Sequence, residues 1–268
     1  MKLQLPKGVR DIPPEEAILR QRVMGVIKDT FERYGYSPLQ TPSFERFDVL
    51  SSKYSGGAEI LKETFQFKDQ GKRQLALRYD LTVPFSRFVG MNPQLKMPFK
   101  RYELGRVYRD GPLKKGRVRE FIQCDADVVG TRSMMAEAEL LLIALEVYKE
   151  LGINITIKVN NRKILNAYAD YVGEKKNATK IILVLDKLAK IGKSEVKKEL
   201  SQFISAAKAN KLITLVGAKG TFPVLKKKFS VLNKEAQEGL IELEEIFSFV
   251  KSKRVVFDPN LARGLAYY

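Results

Sequence analysis

Two stretches, residues 99–109 and 121–129, alternate at period two and flank a polar loop, residues 110–120. Paired runs of this kind read as a long-looped antiparallel hairpin. A hairpin of that length needs a sheet to sit in and helices to cover one face. In its second run, Gln123, Asp125 and Asp127 share one face, while Ile122, Cys124, Ala126 and Val128 share the other. The polar face has two readings: a wet outer face, which antiparallel sheets allow, or the floor of a polar ligand pocket. Arg109 closes the first run, and the loop carries Lys114, Lys115, Arg117 and Arg119 around Gly111 and Gly116. Arginine makes forked, charge-assisted bonds to phosphate oxygens, and glycine lets a loop close over a ligand. A cationic loop above an acidic strand face can hold a triphosphate and an ammonium together. The same loop equally suits nucleic-acid backbone, or no ligand at all.

The flanking segments supply the covering layers. Leu19, Val23, Val26, Ile27, Phe31 and Tyr34 recur at helical spacing, predicting a helix over 19–34 with Pro13, Pro14, Glu15 and Glu16 around its first turn and Gly35 past its end. Residues 36–47 read as extended because Pro38 and Pro42 discourage helix. Residues 75–81 read as a strand leading into a short helix over 84–89, which puts Asp80 and Thr82 two apart on one strand face. A second strong helix spans 133–151 and is closed by Gly152; a strand over 153–159 follows. Beyond about residue 160 the chain becomes Lys-rich and helical in pattern up to residue 252, then returns to strand character at 255–257 and 262–268 around Asp258-Pro259. A mainly antiparallel mixed sheet flanked by helices and interrupted by a helical insertion is an α+β fold.

Composition narrows the chemistry. Lys and Arg number 48 against 31 Asp and Glu, a net charge of +17 that suits a polyanionic partner, although a solvated Lys-rich surface accounts for it equally. Histidine is absent, which removes His-based zinc sites, Ser-His-Asp triads and histidine general bases together. Cys124 stands alone, so neither a disulfide framework nor a thiolate metal cluster is expected, and no metal site is predicted. The remaining repertoire of arginine, lysine, carboxylates, amides and hydroxyls suits phosphate chemistry better than acyl hydrolysis. The amino-terminal MKLQLPKG lacks the apolar core of a signal peptide, and the longest apolar run, residues 140–148, is too short to span a bilayer. A cytoplasmic protein without membrane association is expected.

Five segments, in order, carry a family resemblance. FKRYELGRVYRDGPLKKGRVREFIQCDADVVG at 99–130 resembles motif 2 of the histidyl-tRNA synthetases, which are class II aminoacyl-tRNA synthetases. LPKGVRD at 5–11 resembles their amino-terminal signature, LQTPSFE at 39–45 their motif 1, LRYDLTVPFSRF at 77–88 their first histidine-binding strand, and LARGLAYY at 261–268 their histidine-specific element. The resemblance implies ATP-dependent formation of histidyl-adenylate with Mg²⁺, then transfer to tRNA(His). It implies that Arg109 bridges the histidine carboxylate and the α-phosphate, that Arg117 meets the nucleotide phosphates, and that Arg263 stands across the α-phosphate. Asp80, Thr82 and Gln123 would hold the ammonium and carboxylate of the amino acid. Asp127 and Tyr268 would read the imidazole, and Tyr267 would line the pocket.

The implied domains are a class II catalytic core over 1–160, a helical insertion over 161–252 and a return to the core over 253–268. Motif 1 implies a homodimer. The pattern departs from the family where Ala266 replaces a usual Asp and where Gly111 stands at the usual motif 2 Glu. Motif 3 and the anticodon-binding domain are expected after residue 268, so a fragment, or one part of a split enzyme with a separate carboxy-terminal piece, is expected. The competing expectations are a non-catalytic paralogue, such as the regulatory subunit of ATP phosphoribosyltransferase, and a basic RNA-binding module without catalysis.

Overall fold

The computed structural model describes residues 2–52, 61–113 and 116–262. The chain divides into two compact units, one of residues 1–132 with 146–153, the other of residues 133–145 with 154–268.

The first unit is built around the hairpin. Strands β5 (Phe99–Tyr108) and β6 (Glu120–Val129) pair antiparallel over their full ten residues, with Arg101 opposite Asp127, Glu103 opposite Asp125 and Gly105 opposite Gln123. Strand β1 (Ser37–Pro38) joins the other edge of β5 in parallel. Among the described residues β6 is therefore an edge strand, and every one of its residues is half-buried. Helix α1 (Pro14–Arg33) covers the face that carries Tyr102. It starts five residues earlier than the hydrophobic spacing predicts, because Pro14 at its first position has no N–H to leave unpaired. Phe31 packs on Tyr102 with ring centroids 5.6 Å apart, and the Tyr102 hydroxyl donates to Glu32 at 2.7 Å. Burial, followed by Glu32, pushes the Tyr102 phenol up to about 12.

A second small sheet orders β2 (Phe44–Arg46), β4 (Gln74–Leu77) and β3 (Gln66–Lys68), all antiparallel. Here one expectation is corrected. The strand predicted over 75–81 ends at Leu77, and Thr82 already opens helix α3 (Thr82–Met91), which follows the short α2 (Phe47–Ser52) in chain order. Asp80 and Thr82 consequently do not share a strand face. The Asp80 carboxylate accepts from the Val83 amide at 2.9 Å, satisfying a first-turn N–H that a helix start leaves over, and this turns the chain out of the sheet.

The second unit is helical. The first part of α4 (Met134–Glu150) belongs to it, with α5 (Arg162–Tyr171), α6 (Ala178–Leu185), α7 (Leu188–Leu200), α8 (Ala206–Val216), α9 (Phe222–Phe229) and α10 (Lys234–Phe249). Asn161, Ser205 and Asn233 cap their helices by accepting from Lys163, Lys208 and Ala236 amides. The core gathers Ile164, Tyr168, Ile181, Leu212, Phe229 and Leu240, all essentially buried. Strands β7 (Ile157–Val159) and β8 (Val255–Phe257) pair in parallel and belong to this same unit. The strand predicted over 153–159 is thus shortened to three residues, since among the described residues only those three find a strand partner. Among the described residues no helix is long and apolar enough to cross a membrane.

Candidate active site

The polar face of the hairpin is continuous across both strands, because antiparallel partners point to the same side. Arg101, Glu103, Gly105 and Arg109 come from β5 and its end, and Gln123, Asp125 and Asp127 from β6.

Arg109 sits at one end of this face between two aromatic rings, 4.4 Å from the Tyr79 centroid and 4.9 Å from that of Phe121. Its Nε donates to the Tyr79 carbonyl at 3.3 Å, and an Nη lies at the outer limit of hydrogen bonding, 3.5 Å, from the Gln123 amide oxygen. Stacking fixes the plane of the guanidinium while leaving donors unsaturated, a state suited to a forked anion contact. Gln123 in turn donates its amide to both oxygens of Asp125, at 3.0 and 2.9 Å. Burial raises the Asp125 carboxyl above its ordinary value; the Gln123 bond opposes this, and Asp127 adds to it.

Beside Arg109 lies a cavity of about 260 Å³, lined by Gly111, Pro112, Gly116, Arg117, Val118 and Phe121 among others. Glu63 forms part of its surroundings. The Glu63 carboxylate accepts from the Tyr79 hydroxyl at 3.0 Å and stands 3.8 Å from the Arg117 guanidinium, and its backbone carbonyl accepts from the Asp110 amide at 2.7 Å. A Cβ on Gly111 would come within 2.8 Å of that carboxylate. At Gly111, where the chain departs from the motif 2 pattern, the space a side chain would enter holds the Glu63 carboxylate. Burial, its leading cause, raises the Tyr79 phenol above its ordinary value. The amino-terminal signature reaches the same loop, where the Arg119 amide donates to the Gly8 carbonyl at 2.8 Å.

At the other end, Asp80 is fully buried in the turn before α3, and Thr82 is that helix's first residue. Asp127 pairs with Arg101 at 2.7 Å. Arg78, packed onto this same face, is also buried. Its Nε donates to the Arg106 carbonyl at 2.7 Å, and an Nη donates to the Thr41 carbonyl at 2.7 Å and to Glu103 at 2.8 Å. Gly105 makes room for it: a Cβ there would lie 2.4 Å from the guanidinium.

The fold thus gathers Arg109, Arg117, Gln123, Asp127, Asp80 and Thr82 around one strand face and its loop. Arg263, Tyr267 and Tyr268 lie outside the described residues, as do Lys114, Lys115 and Ala266. The segment just before Arg263 is anchored, with Tyr168 donating to the Pro259 carbonyl at 2.9 Å and Asn160 to the Leu261 carbonyl at 3.0 Å. Sequence reasoning missed Tyr79, Phe121, Glu63, Arg78 and Arg101. A signal existed for Arg101, which is in phase with Arg109 at period two along β5; nothing local marks Glu63. Among the described residues no group of three or more His, Cys, Asp or Glu is placed to hold a metal ion.

The chain is similar to known proteins over nearly its whole length. A family model described as histidyl-tRNA synthetase matches residues 8–268. Histidine–tRNA ligase 1 of Bacillus cereus is 46% identical over 276 residues, an alignment covering 100% of this chain and 64% of that protein. The chain therefore spans about 64% of the length of such curated relatives. The crystal structure of histidyl-tRNA synthetase from Nostoc sp. PCC 7120 matches with a TM-score of 0.87 at 28% identity, covering 99% of this chain and 63% of that one. An ATP phosphoribosyltransferase regulatory subunit/histidyl-tRNA synthetase from Bacillus halodurans matches with a TM-score of 0.84 over 98% of this chain and 69% of that one; at 20% identity this is a likeness of fold. With a mixed sheet of the class II kind, a matching profile over nearly its whole length and close relatives of one kind, the chain belongs to the histidyl-tRNA synthetase family.

Proposed function

We propose that this chain carries the amino-acid-activating part of a histidine–tRNA ligase, which joins histidine to the α-phosphate of ATP, releases pyrophosphate and passes histidine to tRNA(His). The observation that carries the reading is Arg109, stacked between Tyr79 and Phe121 with its donors turned between Gln123 and the cavity under the cationic loop. In this reading Arg109 spans the histidine carboxylate and the α-phosphate, and Arg117 leaves Glu63 for the nucleotide phosphates. Asp80, Thr82 and Gln123 take the ammonium and carboxylate. Asp127 accepts from the imidazole. From the family resemblance, Arg263 would serve the α-phosphate, Tyr268 the imidazole and Tyr267 the amino-acid pocket.

The substrate carboxylate is already ionised near neutral pH, so its attack on phosphorus needs no general base. The work left is to neutralise two anions and hold them in line, which positioned guanidiniums do. Mg²⁺, arriving with the triphosphate and held largely by phosphate oxygens and water, would add charge neutralisation there. A pocket that hydrogen-bonds its substrate rejects an apolar isostere by roughly 10⁴–10⁵. The protein's basic charge supports a tRNA partner.

The domain reading is a core over 1–160, an insertion over 161–252 and a return over 253–268. A cytoplasmic homodimer built on motif 1, with a carboxy-terminal piece supplying motif 3 and the anticodon-binding domain, belongs to the same proposal. Histidine-dependent ATP–pyrophosphate exchange, measured with and without that piece added in trans, tests it. Exchange that requires histidine supports the ligase. No exchange under any combination favours a non-catalytic paralogue of the regulatory kind and overturns the reading.

A further inference from the structure

Arg101 is fully buried on β5, directly opposite Asp127 on β6. Its guanidinium lies 4.3 Å over the Phe85 ring, and one Nη stands 2.7 Å from an Asp127 oxygen and donates to the Leu81 carbonyl at 3.1 Å. The other Nη is 3.8 Å from Glu103, and it and Nε make no hydrogen bond. A guanidinium keeps its charge wherever it sits, so burying one with two donors unused is a standing cost. A hydrophobic side chain of similar volume would pack against Phe85 without that cost. What the arginine does that no apolar residue can is join two structures through one nitrogen. Leu81 lies between Asp80 and Thr82, in the turn that opens α3, while Asp127 lies on the far strand of the hairpin. Asp127 itself is only partly covered, its side chain 27% exposed; its buried oxygen meets the arginine as an ion pair, outside hydrogen-bond geometry.

We propose that Arg101 is a positioning residue for ligand selectivity: it holds Asp127 as a fixed hydrogen-bond acceptor and ties it to the Asp80–Thr82 turn, so that the pocket selects an amino acid whose ring presents an N–H. This rests on the functional reading above. Arg101 touches no ligand; it acts through Asp127. The ligand class is an α-amino acid with a nitrogen heterocycle, and the discrimination is against rings of equal size without a donor.

The experiment is histidine binding by titration calorimetry, on the protein alone or with its carboxy-terminal piece, whichever form binds. The variants are Arg101→Met, Arg101→Lys, Asp127→Asn and the Arg101→Met/Asp127→Asn pair. ATP serves as a probe of the other end of the site. Arg101→Met is expected to weaken histidine by about tenfold or more, since an acceptor set by a charged bond loses its place. It leaves ATP within about twofold, Arg101→Lys recovers part of the loss, and Arg101→Met adds nothing further on the Asp127→Asn background. If Arg101→Met does not fold, the lysine variant carries the test, because it keeps the charge but not the planar fork; it must then lose histidine selectively over ATP. Unchanged histidine affinity, equal loss of histidine and ATP, or full additivity with Asp127→Asn overturns the proposal while leaving the functional reading intact. A wild-type protein that binds no histidine in either form overturns that reading, and this proposal with it.

Discussion

Replacing Arg78 by methionine should be among the most damaging single changes in the first unit. The Arg78 side chain is 5% exposed and that of its partner Glu103 3%. The guanidinium bonds the carbonyls of Thr41 and Arg106, the Thr41 hydroxyl and the Glu103 carboxylate. Methionine fills most of the volume but supplies no donor, so Glu103 keeps only the Thr41 amide at 3.1 Å, the Thr41 hydroxyl at 3.0 Å and the more distant Arg101. Breaking a buried pair from one side costs ~3–5 kcal/mol, because the other charge remains. Two carbonyls losing their donor keep the expectation near the top of that range. At ~2–4 °C per kcal/mol for a domain of this size, the melting temperature should fall by roughly 8–20 °C. Urea unfolding followed by tyrosine fluorescence and circular dichroism gives the free energy. Adding Glu103→Leu to Arg78→Met removes the stranded charge and should recover much of the loss. A single variant that loses less than ~1 kcal/mol, or a double variant that loses more than the single, would refute the argument that an ionic bond buried on this face of the sheet ties β1, β5 and the turn before α3 together.

Three further outcomes are expected. Gly105→Ala places a methyl 2.4 Å from the Arg78 guanidinium and 3.1 Å from Leu81, and since that arginine is held from several sides it cannot move away cheaply; a loss of ~1–3 kcal/mol in thermal melts is expected, and a neutral result counts against the close approach. Asp125 has its carboxyl raised in the folded state by burial, so it adds nothing unfavourable below its unfolded value but destabilises as pH rises through the window up to its raised folded value; Asp125→Asn should therefore melt higher than wild type at neutral pH and indistinguishably from it near pH ~3, the opposite order being disproof. Cys124, whose thiol burial pushes up to about 11, should react with iodoacetamide at neutral pH roughly a hundredfold more slowly than the same thiol in denaturant, and equal rates would show that it is not shielded.

The long elements were legible before any fold was known. Period-two alternation placed both hairpin strands within a residue of their observed ends, because a half-buried ladder imposes its pattern locally. The helical spacing of α1 and α4 was equally readable, and so was the helical character of residues 161–252. Short elements were not. Residues 78–81 continue the apolar pattern of β4, yet the chain leaves the sheet there because Asp80 bonds the Val83 amide. Residues 153–156 alternate like a strand but have no strand partner among the described residues, whereas 157–159 have β8. A period cannot report whether a neighbouring strand exists.

The order of residues by itself determined the kind of chemistry available: no histidine, a cationic loop after Arg109, and a row of polar side chains on one strand face. It also determined the family, as the match of the family model to residues 8–268 shows. Only the tertiary structure decided which charges are buried and against what. Period two puts Arg101 and Arg106 on opposite faces of one strand but does not say which is covered; the first is fully buried against Phe85 and Asp127 and the second is exposed. Glu63 reaches the loop from a segment nearly fifty residues earlier and takes the space beside Gly111. Side-chain type and spacing are local properties, but the desolvation of a charge and the partner that offsets it depend on chain segments far apart in sequence, and these meet only when the sheet is assembled.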